Sequence, residues 1–117
     1  MTFFTLIMLL LAIILNALAN ILVKASAVYI KSESLFELIT NYYLIAGLLS
    51  FGFAFIAYRY VLSKGFALSI AYPIMTTAGF AIVILASNWL FQEKINTLQW
   101  IGIGFLIIGI WLITYNN

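Results

Sequence analysis

Cysteine and histidine are both missing from the 117 residues. Their absence excludes disulfides, thiolate nucleophiles and the usual imidazole bases and metal ligands. Charge is almost as scarce: Asp, Glu, Lys and Arg make up 7% of the chain, three acidic residues against five basic. The resulting pI near 9.0 rests on too few and too scattered cations for a nucleic-acid footprint. Proline occurs once, at Pro73. Phosphate-binding glycine loops, paired catalytic carboxylates and Ser/His/Asp arrangements are absent too. The expectation is a protein that is not an enzyme, with no metal site, no cofactor and no nucleic-acid partner.

What is present is apolar. Hydrophobic residues make up 67% of the chain and mean hydropathy is +1.22, values of an integral membrane protein rather than a soluble domain. The charges stand at Lys24, Lys31, Glu33, Glu37, Arg59, Lys64, Glu93 and Lys94, leaving uncharged stretches over 1–23, 38–58, 65–92 and 95–117. Each is long enough to cross a hydrocarbon core of roughly 30 Å at about 1.5 Å per helical residue. The chain therefore reads as one all-α, four-helix transmembrane domain over residues 1–117, with helices at about 3–23, 35–62, 66–91 and 97–115. The first span lacks a basic leader and is longer than a signal core, so it is expected to stay in the mature protein.

Local signals place the boundaries. Ser34 and Glu37 have capping-box spacing, Gly65 after Lys64 suits a C-terminal cap, and Asn96 with Gln99 suits the start of the last span. Phe36, Tyr42, Tyr43, Trp89 and Trp100 are interfacial anchors. Pro73 within the third span removes the N–H that would bond the Ser69 carbonyl and is expected to bend the helix. Short connections make consecutive spans antiparallel neighbours. Arg59 and Lys64 fall on one side, Lys24, Lys31 and Lys94 on the other. That balance permits either insertion direction, and hence an antiparallel dimer, as readily as one orientation set by a partner or by the insertion machinery.

The functional signal is a polar stripe on the first span. Asn16, Asn20 and Lys24 recur at i, i+4 and i+8, on one helix face, inside hydrocarbon where an unpaired amide or ammonium is costly. They read as the lining of a polar cavity, against the alternative of interhelical glue with a snorkelling lysine. On the third span Tyr72, Thr76 and Gly79 share a face beside Pro73 and offer hydroxyls and freed backbone groups to a ligand. The alternative is a packing groove in which Thr76 and Thr77 bond their own i−4 carbonyls. Ala46, Ser50 and Ala54 form a small-residue ridge, and Gly102 with Gly109 forms another at heptad spacing, the expected seam of a dimer. Glu93 and Lys94 read as solvated turn charges.

Three segments resemble the small multidrug resistance family within the drug/metabolite transporter superfamily: LAIILNALANILVKAS (11–26), IAYPIMTTAGFAIVI (70–84) and GIGFLIIG (102–109). The resemblance implies a four-helix bundle that works as a dimer. It places Thr77-Ala78-Gly79 at the family's glycine-containing kink, Gly102 and Gly109 at its dimer contact, and Lys24 at its helix 1 lysine. It also exposes a departure. Members that exchange protons for cationic drugs carry a glutamate in helix 1, where this chain has Asn16. A buried carboxylate lets proton and cation compete for one site, whereas an amide neither titrates nor neutralises a cation.

A branch without that glutamate resembles the chain further, in Ala71-Tyr72-Pro73 and in Phe91-Gln92-Glu93 leading to Trp100. These are small flippase subunits proposed to move aminoarabinose linked to undecaprenyl phosphate across the inner membrane. The implied function is a dimeric, multi-pass inner-membrane transporter or flippase for an amphipathic, lipid-linked substrate, with Asn16, Asn20, Lys24, Tyr72 and Thr76 binding it. Two alternatives stay open. One is an exporter of cations whose acidic residue comes from a paralogous partner in a heterodimer. The other is a membrane subunit that transports nothing.

Overall fold

The computed structural model describes residues 2–115, and every regular element among them is helical: α1 Phe3–Tyr29, α2 Leu35–Ile39, α3 Tyr42–Ser63, α4 Leu68–Leu90 and α5 Thr97–Thr114. Four of these, all but α2, are long and apolar enough to cross a membrane. Thr2 starts α1 by accepting the Thr5 N–H at 3.2 Å. The helix does not stop before Lys24 but runs on to Tyr29, because nothing between Val23 and Tyr29 breaks it; Ala25 and Ala27 favour helix.

The second expected span is two helices. Ser34 Oγ accepts the Glu37 N–H at 3.1 Å and Glu37 Oε2 accepts the Glu33 N–H at 3.1 Å, which caps α2 as the spacing implied. Thr40 then ends α2, and Asn41 starts α3 by accepting the N–H groups of Tyr43 and Leu44. The break is stabilised from the other side of the chain. Asn41 is 3% exposed, and its amide donates to the Ser26 carbonyl at 3.1 Å, the Ile30 carbonyl at 3.4 Å and Ser32 Oγ at 3.1 Å. Gly65 adopts φ +94° after the Lys64 cap, a left-handed conformation that suits glycine. Asn96 and Gln99 make the full reciprocal box, at 2.8 and 3.0 Å.

α1 is the centre of the packing. It lies against both α3 and α4, which touch each other little, so the second and third spans are not the close neighbours their short connection implied. The α1–α3 contact is made by small residues: Gly47, Ser50, Ala54 and Ala57 of α3 are buried, as are Ala12, Ala17 and Ala19 of α1. A β-carbon on Gly47 would lie 3.3 Å from the Ala19 carbonyl oxygen and 3.3 Å from Val23 Cγ2. Such close approach is how helices associate in lipid, where apolar side chains gain nothing by leaving the surroundings. Leu9, Ala12, Ile13, Ala57, Tyr58, Val61, Ala71 and Met75 form the core. α5 packs on α4 alone and buries none of its residues.

Candidate functional site

Asn16, Tyr72 and Thr76, remote in sequence, line one cavity of about 180 Å³ with Phe51, Ala54, Phe55 and Met75. α1 supplies the amide, α4 the two hydroxyl-bearing residues and α3 the aromatic wall. Asn16 is held over α4 because Gly79 has no side chain: a β-carbon there would stand 3.1 Å from Asn16 Nδ2. The Asn16 side-chain amide makes no hydrogen bond to another described residue, so its donors and acceptor are available to the cavity. Thr76 Oγ1 donates to the Tyr72 carbonyl at 2.9 Å and lies 3.3 Å from that of Pro73, leaving its lone pairs for a ligand donor. α4 continues through Pro73.

Tyr72 is also a wall of a second cavity, about 480 Å³, shared with Tyr58, Leu68, Ser69 and Pro73. Its ring centroid lies 6.3 Å from that of Tyr58. Tyr58 is 9% exposed, and its hydroxyl has no hydrogen-bond partner among the described residues. A buried, unpaired hydroxyl beside a cavity wall was not foreseen, because nothing in an apolar helical run marks which tyrosine faces inward. A hollow of about 730 Å³ lies toward the end of the bundle where α1 begins, between Thr2, Thr5, Lys64–Ala67, Ile70, Ile74 and Thr114, and Asn16 is not among its lining residues.

The three residues of the α1 stripe do not line one cavity. Asn20 is exposed and donates to the Asn16 carbonyl of its own helix at 2.9 Å, which is the local bond open to a short amide in a helix. Lys24 belongs to a separate cleft of about 270 Å³, with Val28, Tyr29, Leu90, Phe91, Gln92 and Glu93. There its Nζ lies 3.7 Å from Glu93 Oε2. Glu93 is therefore not a free turn charge. The α4–α5 turn carries it to α1, with Gln92 in the left-handed region at φ 60°, the Glu93 N–H on the Ser87 carbonyl at 3.2 Å and the Glu93 carbonyl accepting from Asn88 Nδ2 at 2.8 Å. Gly102 and Gly109 stand on α5 with no atom within 4 Å of a β-carbon at either.

No metal-binding cluster of acidic residues occurs among the described residues. The chain has no match among solved structures. Among curated proteins it is 31% identical over 78 residues, 67% of each chain, to the probable 4-amino-4-deoxy-L-arabinose-phosphoundecaprenol flippase subunit ArnE of Proteus mirabilis. It is 39% identical over 49 residues, 42% of each chain, to the protein of that name from Serratia proteamaculans. A 42-residue stretch, 36% of each chain, is 43% identical to protein y4nH of Sinorhizobium fredii. Two of these three matches thus span less than half of the relative. The family model for Small Multidrug Resistance protein matches residues 4–106. With four apolar spans and that match over nearly its whole length, the chain belongs to the Small Multidrug Resistance family and is a small multi-pass membrane protein.

Proposed function

We propose that the protein carries an amphipathic, lipid-linked substrate of the polyprenyl-phosphate type across the inner membrane, as one half of a dimer that opens alternately to each side. The observation that carries this reading is the Asn16 amide, without a side-chain hydrogen bond among the described residues and lining the cavity it shares with Tyr72 and Thr76. An amide there binds by hydrogen bonds and holds no proton to exchange. The spans contain no acidic residue, so a cationic drug would find no counter-charge and a proton no acceptor. The name of the Proteus mirabilis relative supports the substrate class. The exposed α5, with Gly102 and Gly109 open to a neighbour, supports the dimer. Rocking of one bundle against the other around a shared site fits the family architecture.

The test is reconstitution into proteoliposomes with a fluorescent undecaprenyl-phosphate derivative. Movement between leaflets without stoichiometric proton flux is expected, with a loss of at least tenfold in Asn16→Leu. Strong pH-driven uptake of quaternary ammonium ions by the protein alone would overturn the reading. Such uptake appearing only with a co-expressed paralogue would instead establish the exporting heterodimer.

A further inference from the structure

We propose that Glu93 is a built-in competitor for the substrate anion: it occupies Lys24 in the empty carrier, and a lipid phosphate displaces it, releasing the α4–α5 turn from α1. The inference rests on the proposed lipid-phosphate reading and assigns that substrate's charged group to a place separate from the Asn16 cavity. Lys24 lies about 30 Å along α1 from Phe3 at roughly 1.5 Å per residue, so when Phe3 is at one headgroup layer Lys24 is at the other. Its cleft has two charged residues and an apolar lining of Val28, Leu90 and Phe91, a form suited to a phosphate joined to a hydrocarbon chain.

The two ends of the ion pair are built differently. Glu93 is fixed at the backbone, through the Ser87 carbonyl, the Asn88 amide and the strained Gln92 that precedes it. Strain at a non-glycine residue persists only where the surroundings over-determine it. Lys24 is a point charge on a flexible stem, able to turn between anions without moving its helix. The pair is long, at 3.7 Å, and half exposed on both sides, so it is readily exchanged. Glu93 also lies just past the C-terminus of α4, where the helix dipole disfavours an anion. A phosphate brings equal or greater negative charge and more acceptor oxygens than the carboxylate. Once it holds Lys24, the turn has lost its ion pair to α1 and keeps the Tyr29–Phe91 ring contact, at 5.9 Å between centroids.

Binding of undecaprenyl phosphate and of phosphatidylglycerol to the full chain, measured by native mass spectrometry, tests the exchange in wild type, Glu93→Gln, Lys24→Gln and Lys24→Arg. The expected order is tighter binding in Glu93→Gln, by about two- to fivefold because an exposed pair competes only weakly, and at least tenfold weaker binding in Lys24→Gln. Lys24→Arg should retain binding and, by thermal melting, shows that the fold tolerates change at this position. Preference for undecaprenyl phosphate would make the site a substrate site, and equal binding of both lipids a general phosphate-lipid site; either supports the exchange. If wild type binds but Glu93→Gln binds no tighter, the competitor role is overturned while the carrier reading stands. If neither the wild type nor any variant binds a phosphate lipid, both fall.

Discussion

Asn16 Nδ2 stands 3.1 Å from the position a β-carbon would take on Gly79, so the amide that faces the cavity is located by a glycine on the neighbouring helix. Gly79→Ala separates packing from function. The new methyl meets the far end of a side chain, which yields by a few tenths of an ångström, and alanine gains about 1 kcal/mol of helix propensity over glycine. Thermal stability in detergent should change by less than about 1 kcal/mol. Transport should fall several-fold because Asn16 is pushed out of its setting. Unaltered flux would show that the amide's position is not used.

Tyr58 gives a prediction of the opposite sign. Its hydroxyl is buried without a partner among the described residues, and such a group costs about 1–3 kcal/mol when it leaves water unpaired. Tyr58→Phe keeps the ring in the core with Leu9, Ile13 and Val61 and removes that cost. The variant should melt higher, by about 1 kcal/mol in stability. A lower melting point would mean that the hydroxyl has a bonding partner in the membrane-embedded protein.

Asn41 joins the end of α1 to the start of α3 with three donated bonds and two accepted ones. Asn41→Ala strands the Ser26 and Ile30 carbonyls and the first N–H groups of α3 together. A lost cap is worth about 1 kcal/mol and buried unsatisfied groups a further 1–3, so destabilisation of about 2–4 kcal/mol is expected by chemical denaturation in mixed micelles. Asn41→Asp restores the accepted bonds alone and should recover part of the loss. If Asn41→Ala melts like wild type, the junction does not hold the two helices together.

Asn41 also marks what one sequence does and does not disclose. The four spans, the caps at Ser34/Glu37, Gly65 and Asn96/Gln99, and the small-residue seam of α3 were legible, since each rests on periodicity or on neighbours a few residues apart. Asn41 was not legible as a break because apolar residues run on both sides of it, and its partners lie 9–15 residues earlier, in the last turn of α1 and on the α1–α2 connection. The Lys24–Glu93 pair was invisible for the same reason on a larger scale: only the fold brings the α4–α5 turn to α1. Asn16, Tyr72 and Thr76, which line one cavity, could be singled out because polar residues in hydrocarbon stand out. The bond of Asn20 to its own helix was not legible, because helical spacing shows which face a residue occupies, not where its side chain bonds.

The α5 seam is testable with its own internal control. Gly102 and Gly109 are seven residues apart, two turns along one face, whereas Gly104 lies roughly 200° around the helix from Gly102 at about 100° per residue. A β-carbon at any of the three has nothing within 4 Å, so none of these substitutions should strain the single chain, and each raises helix propensity. If the dimer contact is the Gly102/Gly109 face, Gly102→Ile and Gly109→Ile keep two α5 helices from close approach, and Gly104→Ile does not. Single-molecule photobleaching in nanodiscs should then show one-step events dominating for the first two variants and two-step events persisting for the third. Transport should fall with the dimer, because the Asn16 cavity of a single chain, at about 180 Å³, is too small for a lipid-linked substrate. Equal effects of all three substitutions would show that the seam lies elsewhere.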